Sequence, residues 1–462
     1  MLSIAAVSDR RADYYLADMG DELRRVVPGY GVGADRFVGR SSADLGLVGP
    51  VDRAALQALL EGRHPRLGRM LNSRPHSVVA FDLTFSAPKS VSVLLALRNA
   101  DTAATVVAGH DRAVHAALDY LEQHALAARR GAGGERSLIA TDGLLGASFV
   151  HCLSRAADPH LHSHVLVANL VHGEDAKWSA LDGRGLFAHA AAAGSLYEAH
   201  LRAELSDHLG LSWSFEPRRG WGVAGTDPLL AAAFSGRAAE IREHASAFSA
   251  TSRAARRTAW AVTRSPKDTS SAAELTENWA RRARLAGDRT PEGNRQPTGS
   301  MHQRLDEYRF AAVIADASAA GVCRRDAIAA WSQSAGPGIR APELGRAVDH
   351  WAKDPGAVGV GERRRAPASC VPSPHLLRAL GPRPLRPEGQ AVWRAAAAVI
   401  DRYRSRWGTR EGPAVAPVRL ETLGGPRLAD HLEVLRSVRD AWIRLGGAAR
   451  PGLERDGPSL GR

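Results

Sequence analysis

Apolar and polar residues alternate most cleanly over residues 77–85 (SVVAFDLTF). Val79, Phe81, Leu83 and Phe85 fall on one side and Ala80, Asp82 and Thr84 on the other, the period-two pattern of a half-buried strand. Pro88 then takes a position that a first helical turn tolerates, and residues 89–98 (KSVSVLLALR) predict a short helix. Asp101 is placed to cap a longer helix reaching about Arg130, with Val107, Val114, Leu118 and Leu121 as its apolar stripe. Strand patterns return at 147–153 and 162–170. Residues 165–169 and 177–181 flank the turn-like HGED at 172–175, which predicts a hairpin. Residues 186–209 predict a helix that Gly210 closes.

These elements make residues 1–286 one dense unit of mixed helix and strand. Residues 287–300 (GDRTPEGNRQPTGS) have the composition of a linker. Beyond it, a helix over 304–320, a Pro- and Arg-rich irregular stretch at 363–390, and two further apolar stripes predict a helical appendage over 301–462, partly disordered. The stripes are Val392, Ala396, Val399, Tyr403 and Trp407, and Leu428, Leu432, Leu435, Trp442 and Leu445. The glycine-rich GAGG at 131–134 follows a helix and has no lysine after it, so it is a plain loop and not a phosphate cradle.

A length of 462 residues allows about two or three domains. With 44% hydrophobic and 24% charged residues, the chain has the balance of a soluble globular protein. No apolar run approaches the roughly 20 residues that cross a bilayer, and the N-terminus lacks a secretory pattern. Three scattered cysteines exclude a disulfide framework and fit a reducing cytoplasm. A net charge of +12 favours a polyanionic partner, nucleic acid first. Lysine occurs only four times against a large excess of arginine, a bias that a GC-rich genome also produces, so the charge supports that reading without deciding it.

The chemistry concentrates at His151 and in DPHLHSH at 158–164. Side chains two apart on a strand point the same way, so His162 and His164 share a face. The turn-like RAADP at 155–159 lets the strand carrying His151 return antiparallel beside them. Three imidazoles then converge with open coordination positions, the form of a metal site that acts on substrate. His160 is expected on the opposite face or in the turn. Asp82, a carboxylate on an otherwise apolar strand, is costly to bury unpaired and is suited to orienting a ligand imidazole. Tyr14 and Tyr15 form a pair near the start; a tyrosine is a useful nucleophile only beside a base or a cation.

Six stretches occur in order over about the first 265 residues: MLSIAAV, YY at Tyr14–Tyr15, DLGLVGPVD, FDLTFSAPKSVS, SRAADPHLHSHVLVAN and FSGRAAEIRE. In these the N-terminal unit closely resembles the relaxase domain of conjugative relaxases of the TrwC/TraI (MobF) type, which are HUH single-strand endonucleases. The resemblance implies an α+β fold, with an antiparallel central sheet and flanking helices, followed here by a small mainly helical C-terminal region. It places Tyr14 at the nucleophile, with Tyr15 as the fallback, and His151, His162 and His164 at the metal ligands. Asp82 falls at the carboxylate beside them, which would assist proton removal from the tyrosine or orient a ligand. Lys89 and Arg155 are candidate DNA contacts.

The resemblance also implies nicking of single-stranded DNA at an origin of transfer through a 5′-phosphotyrosyl intermediate. A divalent cation would assist, Mg²⁺ or Mn²⁺ by family habit, with Zn²⁺ also suited to three imidazoles. The implied partners are accessory relaxosome proteins and a coupling protein. There is no Gly-Lys dipeptide and hence no GxxxxGK[ST] loop, so a separate helicase is expected. The second tyrosine pair common in the family is absent: residues 21–37 hold only Tyr30. The competing readings are a rolling-circle replication initiator, a non-cleaving DNA-binding paralogue and an unrelated three-histidine metallohydrolase.

Overall fold

The computed structural model describes residues 1–8, 26–27, 35–72, 77–131, 137–216, 220–237, 239–240, 243, 270–287 and 324–352, with isolated helical positions between 392 and 436. Among them the core is a five-stranded sheet in the order β1-β3-β7-β6-β2, antiparallel at every pairing. Its strands are β1 (Leu2–Val7), β2 (Arg36–Val38), β3 (Ala80–Ser86), β6 (Gly146–Leu153) and β7 (Pro159–Ala168). Short two-stranded ribbons join β4 (Ala128–Arg130) to β5 (Ser137–Ile139), β8 (Val171–His172) to β9 (Trp178–Ser179), and β10 (Trp213–Glu216) to β11 (Gly220–Val223).

Helices enclose this sheet from both sides. Between β2 and β3 lie α1 (Arg40–Asp44) and α2 (Arg53–Leu60). After β3 come α3 (Lys89–Leu97) and α4 (Ala100–His124), α5 (Gly183–Leu209) follows β9, and α6 (Pro228–Ala233) and α7 (Ala272–Leu285) follow β11. Leu56, Leu59 and Leu60 of α2 pack with Val7, Phe37, Ala80, Ala147, Phe149 and Leu166 on one sheet face. The opposite face lies against the α4–α5 pair, where the Phe85 and Tyr197 rings meet at 5.4 Å. The two helices approach closely because Gly109 of α4 leaves room for Leu205: a Cβ there would lie 3.1 Å from the leucine's methyl carbon. Gly210 ends α5 at φ 64°, as predicted, a conformation that glycine adopts without steric cost.

Several local expectations need correction. The strand at 77–85 is central, and Ala80 to Leu83 are buried on both of its faces, so it is not half-buried. Asn99, not Asp101, caps α4: its side chain accepts from Thr102 N at 2.9 Å, and Asp101 sits in the first turn, where the helix dipole favours a carboxylate. That helix stops at His124, and residues 128–130 form β4. The hairpin around residues 172–175 is β8–β9, with residues 165–168 retained in β7 by their ladder to β3 and β6.

Compactness divides the chain into residues Met1–Ala311 with Arg324–Ala357, and Ala312–Cys323 with Val358–Arg462. The first unit therefore takes in α8 (Arg324–Ser334) and α9 (Ala341–Ala352), which lie beyond the expected linker. Arg202, buried on α5, makes this join: its guanidinium donates to the carbonyls of Ser332 and Ala335 at 2.7 and 2.9 Å and lies 4.7 Å over the Trp221 ring. Donation to two carbonyls and an aromatic face suit a planar guanidinium better than an ammonium. In the second unit, helical Ala396 and Ile400 are buried one turn apart. The expected linker and the predicted helix at 304–320 lie outside the described residues, apart from Gly287. No described helix is long and apolar enough to cross a membrane.

His110 of α4 sits wholly buried between sheet and helices. Its Nδ1 is 2.8 Å from the Tyr197 hydroxyl and its Nε2 is 2.8 Å from Ser163 Oγ on β7. Burial, with the positive charges of the N-terminus and His160, lowers its pKa from 6.5 to about 3. The unfolded chain therefore binds a proton that the folded chain refuses, and stability present above pH 6.5 is lost as the pH falls toward 3. The urea midpoint of metal-free protein should fall between pH 6.5 and about pH 4.5, and His110→Gln should flatten that slope. Equal slopes for the two proteins would show that another group carries the linkage.

Candidate metal centre

β6 and β7 are neighbours because a five-residue turn reverses the chain, and their register sets His151 directly opposite His162. His164 faces Phe149 across β6 and Thr84 across β3. The three imidazoles therefore meet on one sheet face. The ring centroids of His151, His162 and His164 are 5.2 to 5.5 Å apart, and each ring offers a nitrogen within 4.8 Å of the others. The apolar cluster under α2 covers the same face at Phe149 and Leu166, so the site lies where that cover ends.

Pairing passes from His151–His162 to Leu153–Pro159, so β7 holds one residue more than β6 in that interval. This is a β-bulge, a device that re-aims backbone and side chains. Its first residue, His160, lies beside the site and not on the opposite face: its ring stacks on His162 at 4.6 Å and 27°. The even-numbered histidines keep one side of the strand, and the bulge turns the His160 carbonyl to accept the Nδ1–H of His162 at 2.7 Å. His164 donates its Nδ1–H to both oxygens of Asp82, at 2.9 and 3.0 Å. Asp82 sits two residues along β3 from Thr84, the direct partner of His164, which is the diagonal reach of a cross-strand pair. Thr84 Oγ1 lies 3.2 Å from the same nitrogen.

With Nδ1 engaged, His162 and His164 each turn the Nε2 lone pair outward. Burial, then the neighbouring His164, lowers His151 to about 4; burial also carries His162 well below its ordinary pKa and His160 to about 4. Neutral imidazoles are what a metal ion requires, and a proton is what it must displace. Three such ligands, two of them oriented through their second nitrogen, fit a divalent cation with coordination positions left for substrate.

Asp82 is buried at 6% exposure, as its expected pairing requires. Lys89, a candidate DNA contact, is half-buried at the start of α3, where its ammonium donates to the Pro159 carbonyl at 2.8 Å. Arg155 is half-exposed in the β6–β7 turn. Tyr14 and Tyr15 lie outside the described residues. Sequence reasoning missed Thr84 and His160. Alternation would have signalled Thr84, which stands two residues from Asp82.

The TrwC relaxase family matches residues 5–286, more than half of the chain. The multifunctional conjugation protein TraI of Escherichia coli (strain K12) is 34% identical over 223 residues, which is 45% of this chain and 12% of that much longer protein. Among solved structures, the conjugative relaxase TrwC in complex with OriT DNA is similar in its metal-bound form, with a TM-score of 0.57 and 26% identity. The copper-bound form of that complex gives 0.57 and 28%. Each comparison covers 63% of this chain and 100% of the other. The ordered run of matching segments, the antiparallel sheet and the three imidazoles set across β6 and β7 thus agree with one another: the chain belongs to the TrwC relaxase family.

Proposed function

We propose that this chain is a relaxase that nicks one DNA strand at an origin of transfer and so initiates conjugative transfer. The observation that carries the reading is the set of three converging imidazoles with Asp82 on His164, in a chain of the TrwC relaxase family. His151, His162 and His164 would hold a divalent cation, Mg²⁺ or Mn²⁺, which when bound supplies Lewis-acid stabilisation of charge on a scissile phosphate. Tyr14 would act as nucleophile, its oxygen forming a bond to phosphorus as the bond to the 3′ oxygen breaks. The phenol gives up its proton and the departing 3′ oxygen takes one up, leaving as a hydroxyl, so the step is proton-neutral overall. A 5′-phosphotyrosyl diester conserves the bond energy needed for rejoining, which hydrolysis would lose.

Asp82 is turned onto His164 Nδ1, an arrangement that supports the orienting role over direct proton removal. Arg155, half-exposed in the β6–β7 turn, would meet the DNA strand there. Arginine–phosphate pairs would supply affinity, which should fall steeply with salt. The strand must arrive unpaired or extruded, and accessory relaxosome proteins and a coupling protein are the partners of this reading, in the cytoplasm. The test incubates the protein with single-stranded oligonucleotides spanning the origin of its element and Mn²⁺. A covalent protein–DNA band on a denaturing gel is expected, and EDTA should remove it. Cleavage that persists unchanged in EDTA would exclude the metal-assisted route.

A further inference from the structure

The turn joining the two histidine strands is held from outside the sheet by a helix far away in sequence. This is α7 (Ala272–Leu285), opened by a capping box between Ser271 and Glu274. Trp279 is buried on its inner side and donates its indole N–H to the Ala157 carbonyl at 2.9 Å. One turn on, Arg282 donates to Asp158 Oδ1 at 2.5 Å and to the Ala233 carbonyl at 2.6 Å. Asp158 is 1% exposed, and its second oxygen accepts from the Arg237 backbone at 3.3 Å.

The turn is one that needs holding. Ala157 has φ 54°, a left-handed conformation that is strained for a residue with a Cβ. Its neighbours close on themselves: Ser154 N donates to the Asp158 carbonyl at 2.8 Å, and Ser154 Oγ accepts from the Asp158 backbone at 3.2 Å. From the other side, Lys89 and Ser92 of α3 fix Pro159 and Leu161 at 2.8 and 3.0 Å. Ala157, Asp158, Pro159 and Leu161 are therefore held by α7 or α3, and the bulge that aims His160 at His162 lies within this held segment.

We propose that Trp279 and Arg282 are positioning residues for the three-histidine centre, acting through the strained turn at Ala157 and Asp158. They touch no ligand. They fix how far β6 stands from the bulged end of β7, and so the separation of His151 from His162. The inference rests on the reading of those histidines as a cation site.

Calorimetric titration of the full chain with Mn²⁺ tests it, alongside thermal unfolding. Trp279→Phe keeps an aromatic ring and loses the indole N–H together with part of the buried ring volume; Arg282→Met keeps the aliphatic stem and loses both donors. Each is expected to weaken Mn²⁺ binding about tenfold, the scale at which outer contacts tune a metal site. Arg281→Ala, on the exposed side of the same helix, should change it less than about twofold. A purely structural role would lower the melting temperature and leave the affinity of the folded protein unmoved. If Arg282→Met does not fold, Trp279→Phe decides alone. Wild-type affinity in both folded variants overturns the positioning role while leaving the cation site intact. No Mn²⁺ uptake by the wild-type chain overturns the cation reading itself, and the inference with it.

Discussion

Tyr14→Phe is expected to abolish the covalent DNA adduct, a loss of at least about 10³-fold in strand cleavage, because removing a nucleophile leaves only the stabilisation of the transition state. Phenylalanine keeps the ring and its packing, so DNA binding should survive within a few-fold. The chain's reach permits the role. Val7 ends β1 two pairs beyond Ala5, the partner of Asp82. Seven further residues can span up to about 23 Å, ample for a return to the imidazoles. Tyr15→Phe is the control and should retain most of the adduct. Full cleavage by Tyr14→Phe with loss in Tyr15→Phe would move the nucleophile one residue along. Full cleavage by the double variant would remove tyrosine chemistry altogether.

His162→Ala is expected to weaken Mn²⁺ binding at least about 100-fold and to take cleavage with it, since one of three protein ligands is lost. His164→Ala and His151→Ala should behave alike. Asp82→Asn should cost less, about 10- to 100-fold in metal affinity, because His164 keeps its nitrogen and loses only the carboxylate that holds its tautomer. The instructive contrast is His160→Ala. The His160 ring stacks on His162 without joining the trio, and the contact that orients His162 comes from the backbone carbonyl, which alanine retains. His160→Ala should therefore bind Mn²⁺ within about fivefold of wild type. A loss equal to that of His162→Ala would make His160 a ligand and require a different geometry for the centre.

Much of the site was legible from residue order. The HxH spacing and a preceding strand with one histidine already require shared orientation if the two strands pair, and they do. Asp82 stood out as a charge in an apolar strand, and burial against His164 accounts for it. Helix ends marked by glycine or an early polar residue were readable to within a few positions, as at Gly210. Less was legible where two local signals compete. Asn99 and Asp101 are both good caps, and only the path of the chain decides between them. Lys89 is a basic residue in a basic chain, and nothing near it in sequence shows that its ammonium ends on the Pro159 carbonyl.

Sequence by itself determined the residue types, their spacing, and therefore the face that His162 and His164 share, because strand alternation is a local property of the backbone. It also determined membership of a family whose pattern runs through residues 5–286. Tertiary structure alone decided the one-residue bulge that turns His160 toward His162, the joining of α8 and α9 to the first unit through Arg202, and the grip of α7 on Ala157 and Asp158. Each of these depends on contacts between residues more than 100 positions apart or on a mismatch between two strand lengths. Such contacts form only after the chain has closed on itself, so no local pattern records them.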